Sequence, residues 1–117
     1  MKKTFFFLGA IIVLCSSFQK KKIKKPAPLP VCVQQLITKF KKEDVTNPPR
    51  SIYSYTYHGK TVYYVPAPCC DFFSDLYDSS CKIIAHPDGG FTGRGDSKLP
   101  DFLQDRKNEK LVWKDSR

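Results

Sequence analysis

The residues best suited to chemistry are cysteines: Cys32, Cys69, Cys70 and Cys81, with a fifth, Cys15, inside an N-terminal apolar run. Four thiols could hold zinc, run dithiol redox chemistry or form two disulfides. Zinc sites space the ligands of a pair two to four residues apart, and redox dithiols keep two residues between their sulfurs. Adjacent Cys69 and Cys70 fit neither pattern. An even count in a small exported domain reads as a disulfide framework. A bridge between neighbours would close a small, strained ring, so Cys69 and Cys70 are expected to take separate partners. Of the two remaining pairings, Cys32–Cys70 with Cys69–Cys81 is preferred. Cys70 shares strand parity with Val62 and Tyr64 if the chain stays extended beyond them.

Other chemistry finds less support. His58 and His86 are the two histidines, and both fall in turn-forming sequence. Neither has the spacing of a Ser-His-Asp or Cys-His constellation, so no catalytic residue is assigned and an enzyme is not expected. The run from Asp88 to Asp96, DGGFTGRGD, carries four glycines. Asp88, Asp96 and loop carbonyls could bind Ca²⁺, but the spacing is not that of an EF-hand. A compact loop held by Asp and Thr hydrogen bonds is the plainer reading, so no metal or cofactor is expected. The run also lacks the Lys-Ser or Lys-Thr ending of a phosphate-binding loop. Arg94-Gly95-Asp96 spells an adhesion tripeptide, a pattern too short to carry weight. Tyrosine offers apolar area with a polar tip. Tyr53, Tyr55, Tyr63 and Tyr64, with Asp88, Arg94 and Asp96, therefore make up the candidate binding surface, although half-buried strands favour aromatics in any case.

The elements that must position these residues form an α+β domain over residues 31–117: an N-terminal amphipathic helix packed on a small antiparallel sheet, stabilised by disulfides. Leu29, Cys32, Val33, Leu36, Ile37 and Phe40 recur at helical spacing between Pro30 and Lys42. Ser51 to Tyr57 and Lys60 to Val65 read as a hairpin turning at His58-Gly59. That turn pairs Tyr57 with Lys60, Tyr55 with Val62 and Tyr53 with Tyr64. One face then carries Tyr53, Tyr55, Tyr57, Val62 and Tyr64, and the helix is expected against it. Phe72 to Tyr77 reads as a helical turn, Lys82 to Ala85 as a strand, Pro100 to Lys107 as a short helix and Leu111 to Trp113 as a last strand.

Residues 1–17 look like a signal peptide. Lys2 and Lys3 precede an uncharged run from Thr4 to Leu14, shorter than the roughly 20 apolar residues of a membrane span. Cys15-Ser16-Ser17 suits cleavage before Phe18. Leu14-Cys15 also fits a lipoprotein signal, with lipidation of Cys15. The lysines just beyond the run would instead favour an uncleaved anchor with a cytoplasmic C-terminal side. Residues 18–30 form a basic, proline-containing arm. The net charge is +9, but setting aside Lys2, Lys3 and the five lysines from Lys20 to Lys25 leaves +2 for residues 31–117. Nucleic-acid binders carry such charge on a folded face, so specific nucleic-acid binding is not expected. Contact of the arm with an anionic surface is.

The run Tyr55 to Tyr64, then Cys69-Cys70-Asp71, then Pro87 to Asp96, then Pro100-Asp101-Phe102 resembles a family of small exported bacterial domains of unknown function, often lipoprotein-like. The resemblance covers roughly residues 31–117. It implies export and disulfides and supplies no activity. The expected function is a non-enzymatic cell-envelope binding or structural module, periplasmic or secreted; the alternative is a small secreted inhibitor of an extracellular hydrolase. Its partner would be an envelope macromolecule or protein, with the membrane touched only through a tether.

Overall fold

A computed structural model describes residues 25–117 together with Gly9. Apart from Gly9, the expected signal segment lies outside the described residues, as do Cys15 and Lys20 to Lys24. Among the described residues, no helix is long and apolar enough to cross a membrane.

Helix α1 spans Val31–Lys42, and the strands are β1 Ser51–Tyr57, β2 Lys60–Val65, β3 Asp75–Asp78, β4 Ile83–Ala85 and β5 Lys107–Lys114. A single turn of helix, α2, covers Phe102–Asp105. The five strands form one antiparallel sheet in the order β4-β3-β2-β1-β5. The helix thus packs on an antiparallel sheet, as the hydrophobic spacing requires. Pro30 stands just before the first helical turn, and Lys39, Lys41 and Lys42 occupy the last, where positive charge suits the helix dipole.

His58 and Gly59 take positive φ, 46° and 75°, the conformation that matches a two-residue turn to strand twist. The turn sets the register Tyr53 to Tyr64, Tyr55 to Val62 and Tyr57 to Lys60, as the sequence predicts. Phe72 to Tyr77 departs from expectation. Instead of a helical turn it leads into β3, where Tyr77 pairs with Tyr63 and Leu76 with Tyr64. The pairing with β2 and the complete burial of Leu76 override the local preference.

The helix lies on the other face from the one expected. Val33 and Phe40 pack with Ile52, Tyr63 and Val65, edged by Leu36, Ile37, Tyr77, Val112 and Trp113. Phe40 stacks on Trp113 at a centroid distance of 6.0 Å. The hydroxyls of Tyr55, Tyr57 and Tyr64 explain the choice. Buried phenols need hydrogen-bond partners, and the aliphatic stripe of α1 offers none. Polar segments after β4 do.

The disulfide framework is also corrected. Cys32 bonds to Cys81, with 5.4 Å between Cα atoms, while Cys69 and Cys70 are free and exposed. Strand parity gives the face but not the end of the sheet. Val31, at the start of α1, lines the same groove as His58, Asp78 and Ser79, and Cys32 reaches the turn between β3 and β4, where its N–H also donates to Cys81 Sγ at 3.1 Å. The Cys69-Cys70 segment links Val65 to Asp75, which pair at the opposite end. That end is tied differently. The Arg117 guanidinium donates to the carbonyls of Phe40 and Lys41 at the close of α1, at 2.9 and 3.1 Å. Asp115 holds it there at 2.6 Å.

Candidate functional site

Opposite the helix, β1 and β2 present Tyr55, Tyr57 and Val62, which pack with Leu76 and Phe102 and are edged by Tyr53, Tyr64, Ile84 and Leu99. Phe102 comes from α2 and is wholly buried. Its ring lies 5.8 Å from that of Tyr55 and 5.4 Å from that of Tyr57, both edge-on, the arrangement that ring quadrupoles favour. The Arg106 guanidinium covers Tyr55 at 4.7 Å, within cation–π reach.

Three hydroxyls of this cluster end on carboxylates. Tyr55 donates to Glu109 Oε2 at 2.7 Å, Tyr57 to Asp101 Oδ1 at 2.7 Å and Tyr64 to Asp88 Oδ2 at 2.6 Å. Burial, followed by the hydrogen bond to the carboxylate, pushes the Tyr57 and Tyr64 phenols up to about 12. The same causes raise Tyr55. These phenols stay neutral donors at physiological pH; they fasten the start of α2 and the glycine-rich loop to the sheet and tie β1 to its neighbour β5.

Asp88 brings the glycine-rich loop into this scheme. Its carbonyl accepts from the Ser74 N–H at 3.1 Å, and the Gly90 N–H donates to the Phe72 carbonyl at 3.0 Å. The Asp96 N–H returns to the His86 carbonyl at 2.8 Å. A Cβ at Gly89 would strike the Phe72 carbonyl, and one at Gly95 the His86 carbonyl, so side chains are excluded from both crossings. His86 Nδ1 lies 3.1 Å from the Ser74 carbonyl and 2.9 Å from Asp75 Oδ1. Both are acceptors, which assigns the proton to Nδ1. The loop is therefore braced from within and from β3. At its tip Phe91 is 91% exposed, and Phe72 beside its base is 62% exposed, with Phe73 also exposed.

The sequence-predicted site residues separate accordingly. Tyr53, Tyr55 and Tyr64 share the loop-covered face, whereas Tyr63 is buried against the helix. Asp88 is a brace. Arg94 is exposed, but Asp96 turns back to accept from the Lys98 N–H at 3.1 Å, so Arg94-Gly95-Asp96 does not present two free charges. Cys69 and Cys70 stand together on the surface. The neighbouring Cys69 sulfur, through its hydrogen bond, raises the Cys70 thiol, which holds it in the less nucleophilic thiol form.

Two features were missed in the sequence. One is the exposed aromatic group of Phe72, Phe73 and Phe91, for which the DGGF run was the available signal. The other is a convergence of His58, Asp101 and Asp105. Their potential ligand atoms all lie within 4.8 Å of one another, and among the described residues this is the group that could hold a metal ion. His58 Nε2 is 3.1 Å from Asp101 Oδ2 and 3.8 Å from Asp105 Oδ2. The four-residue step between the aspartates was legible, but their meeting with the hairpin turn was not.

A family model described as "Domain of unknown function (DUF6970)" matches residues 38–115, from within α1 to the residue after β5. The matched stretch contains Cys81 but not its bonded partner Cys32. No curated protein and no solved structure matches the chain.

Proposed function

We propose that this chain, which belongs to the DUF6970 family of unknown function, is a non-enzymatic module of the cell envelope that binds another macromolecule through its braced aromatic loop. The observation that carries the reading is Phe91, 91% exposed at the tip of a loop whose backbone is hydrogen-bonded to Phe72 and Ser74 just before β3 and whose Asp88 carboxylate holds Tyr64. Phe72 and Phe73 are exposed at the same loop's base. Exposed aromatics grouped on a rigid support are the anchors from which interfaces draw most of their binding energy. A preformed loop also loses little entropy on binding.

Export supports the same reading. The charged start and apolar run of residues 1–17 favour it, as does the Cys32–Cys81 bridge, since disulfides persist in oxidising compartments. Processing either releases a mature chain at Phe18 or lipidates Cys15, and the basic arm through Lys25 then holds the domain near an anionic surface. N-terminal mass analysis distinguishes these routes. A start at an unprocessed Met1 would count against export.

The rigid loop also supports the second reading, a small secreted inhibitor of an extracellular hydrolase. Capture from an envelope extract, with wild type and Phe91→Ala compared side by side, tests the first. A specific envelope protein retained by wild type and lost by Phe91→Ala is the expected result, and equal retention by both counts against the loop. A stable stoichiometric complex with a protease or lysozyme would favour the inhibitor instead.

A further inference from the structure

We infer that His58, Asp101 and Asp105 form a binding site for a divalent transition-metal cation, for which Zn²⁺ is the suitable probe. The donor set is one imidazole nitrogen and two carboxylate oxygens, which suits a first-row divalent ion. Donors around tetrahedral Zn²⁺ stand about 3.3 Å apart, given metal–ligand bonds of about 2.0–2.1 Å. The separations of 3.1 Å from His58 Nε2 to Asp101 Oδ2 and 3.8 Å to Asp105 Oδ2 fall on either side of that value. All three donor atoms lie within 4.8 Å of one another, so the ion would take the space between His58 Nε2 and the two carboxylates by movement of the side-chain ends.

The ligands come from two elements that are already fixed. His58 occupies the first position of the β1–β2 turn and stacks on the Tyr57 ring at 3.9 Å. Asp101 stands at the N-cap of α2 and Asp105 is its last residue, one helical turn apart and hence on one side of it. The Tyr57 hydroxyl holds Asp101 Oδ1 at 2.7 Å, which leaves Oδ2 for the ion. One tyrosine thus orients two of the three ligands, the outer-shell support that metal sites use.

Charge favours a cation as well. The chain carries 20 Lys and Arg against 11 Asp and Glu. Yet among the described residues the ion-pair partner of both Asp101 and Asp105 is His58, not a lysine or arginine. Two carboxylates facing one imidazole retain net negative charge. His58 and Asp105 are largely exposed, so water or an exogenous ligand can complete the coordination. Three protein ligands with an open position are the pattern of a site that exchanges ligands.

The exposed Cys69 and Cys70 could bind Zn²⁺ independently, so the test uses full-length Cys69→Ser/Cys70→Ser protein as its background. Isothermal titration with ZnSO₄ is expected to show one ion per chain, together with a rise in Tm. In that background, His58→Ala and Asp105→Asn are each expected to weaken binding at least about tenfold, on the scale seen when support for a metal ligand is removed. Asp105→Asn keeps the size and the turn chemistry intact, so its result does not depend on how the hairpin tolerates alanine. Failure of the serine background to bind Zn²⁺, or binding unchanged by His58→Ala and Asp105→Asn, would overturn the assignment.

Discussion

The two faces of the sheet are closed by different physics. On the helix face, Val33, Phe40, Ile52 and Val65 exclude water with aliphatic and aromatic surface, and a covalent bridge fixes the start of α1. On the loop face, Tyr55, Tyr57 and Tyr64 pack around Phe102 and pass their hydroxyls to Glu109, Asp101 and Asp88. The first arrangement is non-directional and tolerant. The second is directional, because each phenol has one hydrogen and places it on one carboxylate. A face that must hold an irregular loop in one conformation gains from directional bonds, whereas a regular helix can be held by area alone. The presented aromatics, the free thiols and the His58–Asp101–Asp105 group are all reached from segments outside the helix.

Removing the hub of the loop face should have the largest effect. Phe102→Ala is expected to cost about 3–5 kcal/mol in urea unfolding, as for other fully buried aromatics. It should also release the loop, so that Phe91 no longer supports binding. An equal loss of stability with binding intact would mean that the loop is braced without Phe102.

On the helix face, the double change Cys32→Ser with Cys81→Ser should cost about 2–4 kcal/mol by removing the constraint on the unfolded chain. Its effect on the loop-face tyrosines should be small. The same double change in place of Cys69 and Cys70 should leave stability nearly unchanged, since those thiols are free.

Smaller again is Tyr64→Phe, expected to cost about 1.5–3 kcal/mol as a hydrogen bond to a charged group is lost and Asp88 is left without its donor. Hydrogen exchange should quicken at the amides of residues 88–96 before those of α1. Equal quickening in both would show that the two faces are not independent.

The faces should also respond to pH, and at opposite ends of the scale. Tyr57 and Tyr64 are raised from 10.0 to about 12. Their contribution is therefore complete below pH 10 and lost as pH rises from 10 to 12. Asp115, whose hydrogen bonds from Arg117 lower it from 3.8 to about 2, clamps the end of α1. Its contribution is complete above about pH 4 and lost as pH falls towards 2. Alkali should loosen the loop face first, and acid the end of the helix.

The sequence carried the local parts of this scheme well. The apolar stripe from Leu29 to Phe40 and the two-residue turn at His58-Gly59 are written in consecutive residues, so helix, hairpin and register were legible. The identity of the covering element was not. Tyr55 and Ile52 are both strand residues of high propensity, and only the acceptors on Asp88, Asp101 and Glu109, far along the chain, decide which face takes the helix. The bridge failed for a related reason. Cys70 has the right parity, but it lies at the wrong end of the sheet, and that depends on the direction in which α1 runs along the strands. The His58 group required the same long-range closure, with α2 brought under the hairpin turn by Phe102.

The most direct test of the contrast between the faces is residue-specific titration of ¹³Cζ-labelled tyrosine by NMR from pH 8 to 12. The phenols of Tyr57 and Tyr64 should stay neutral through pH 10 in the folded protein and ionise only near 12, as the loop-face amides lose protection. Ionisation of these two residues near pH 10, with the fold intact, would contradict the account.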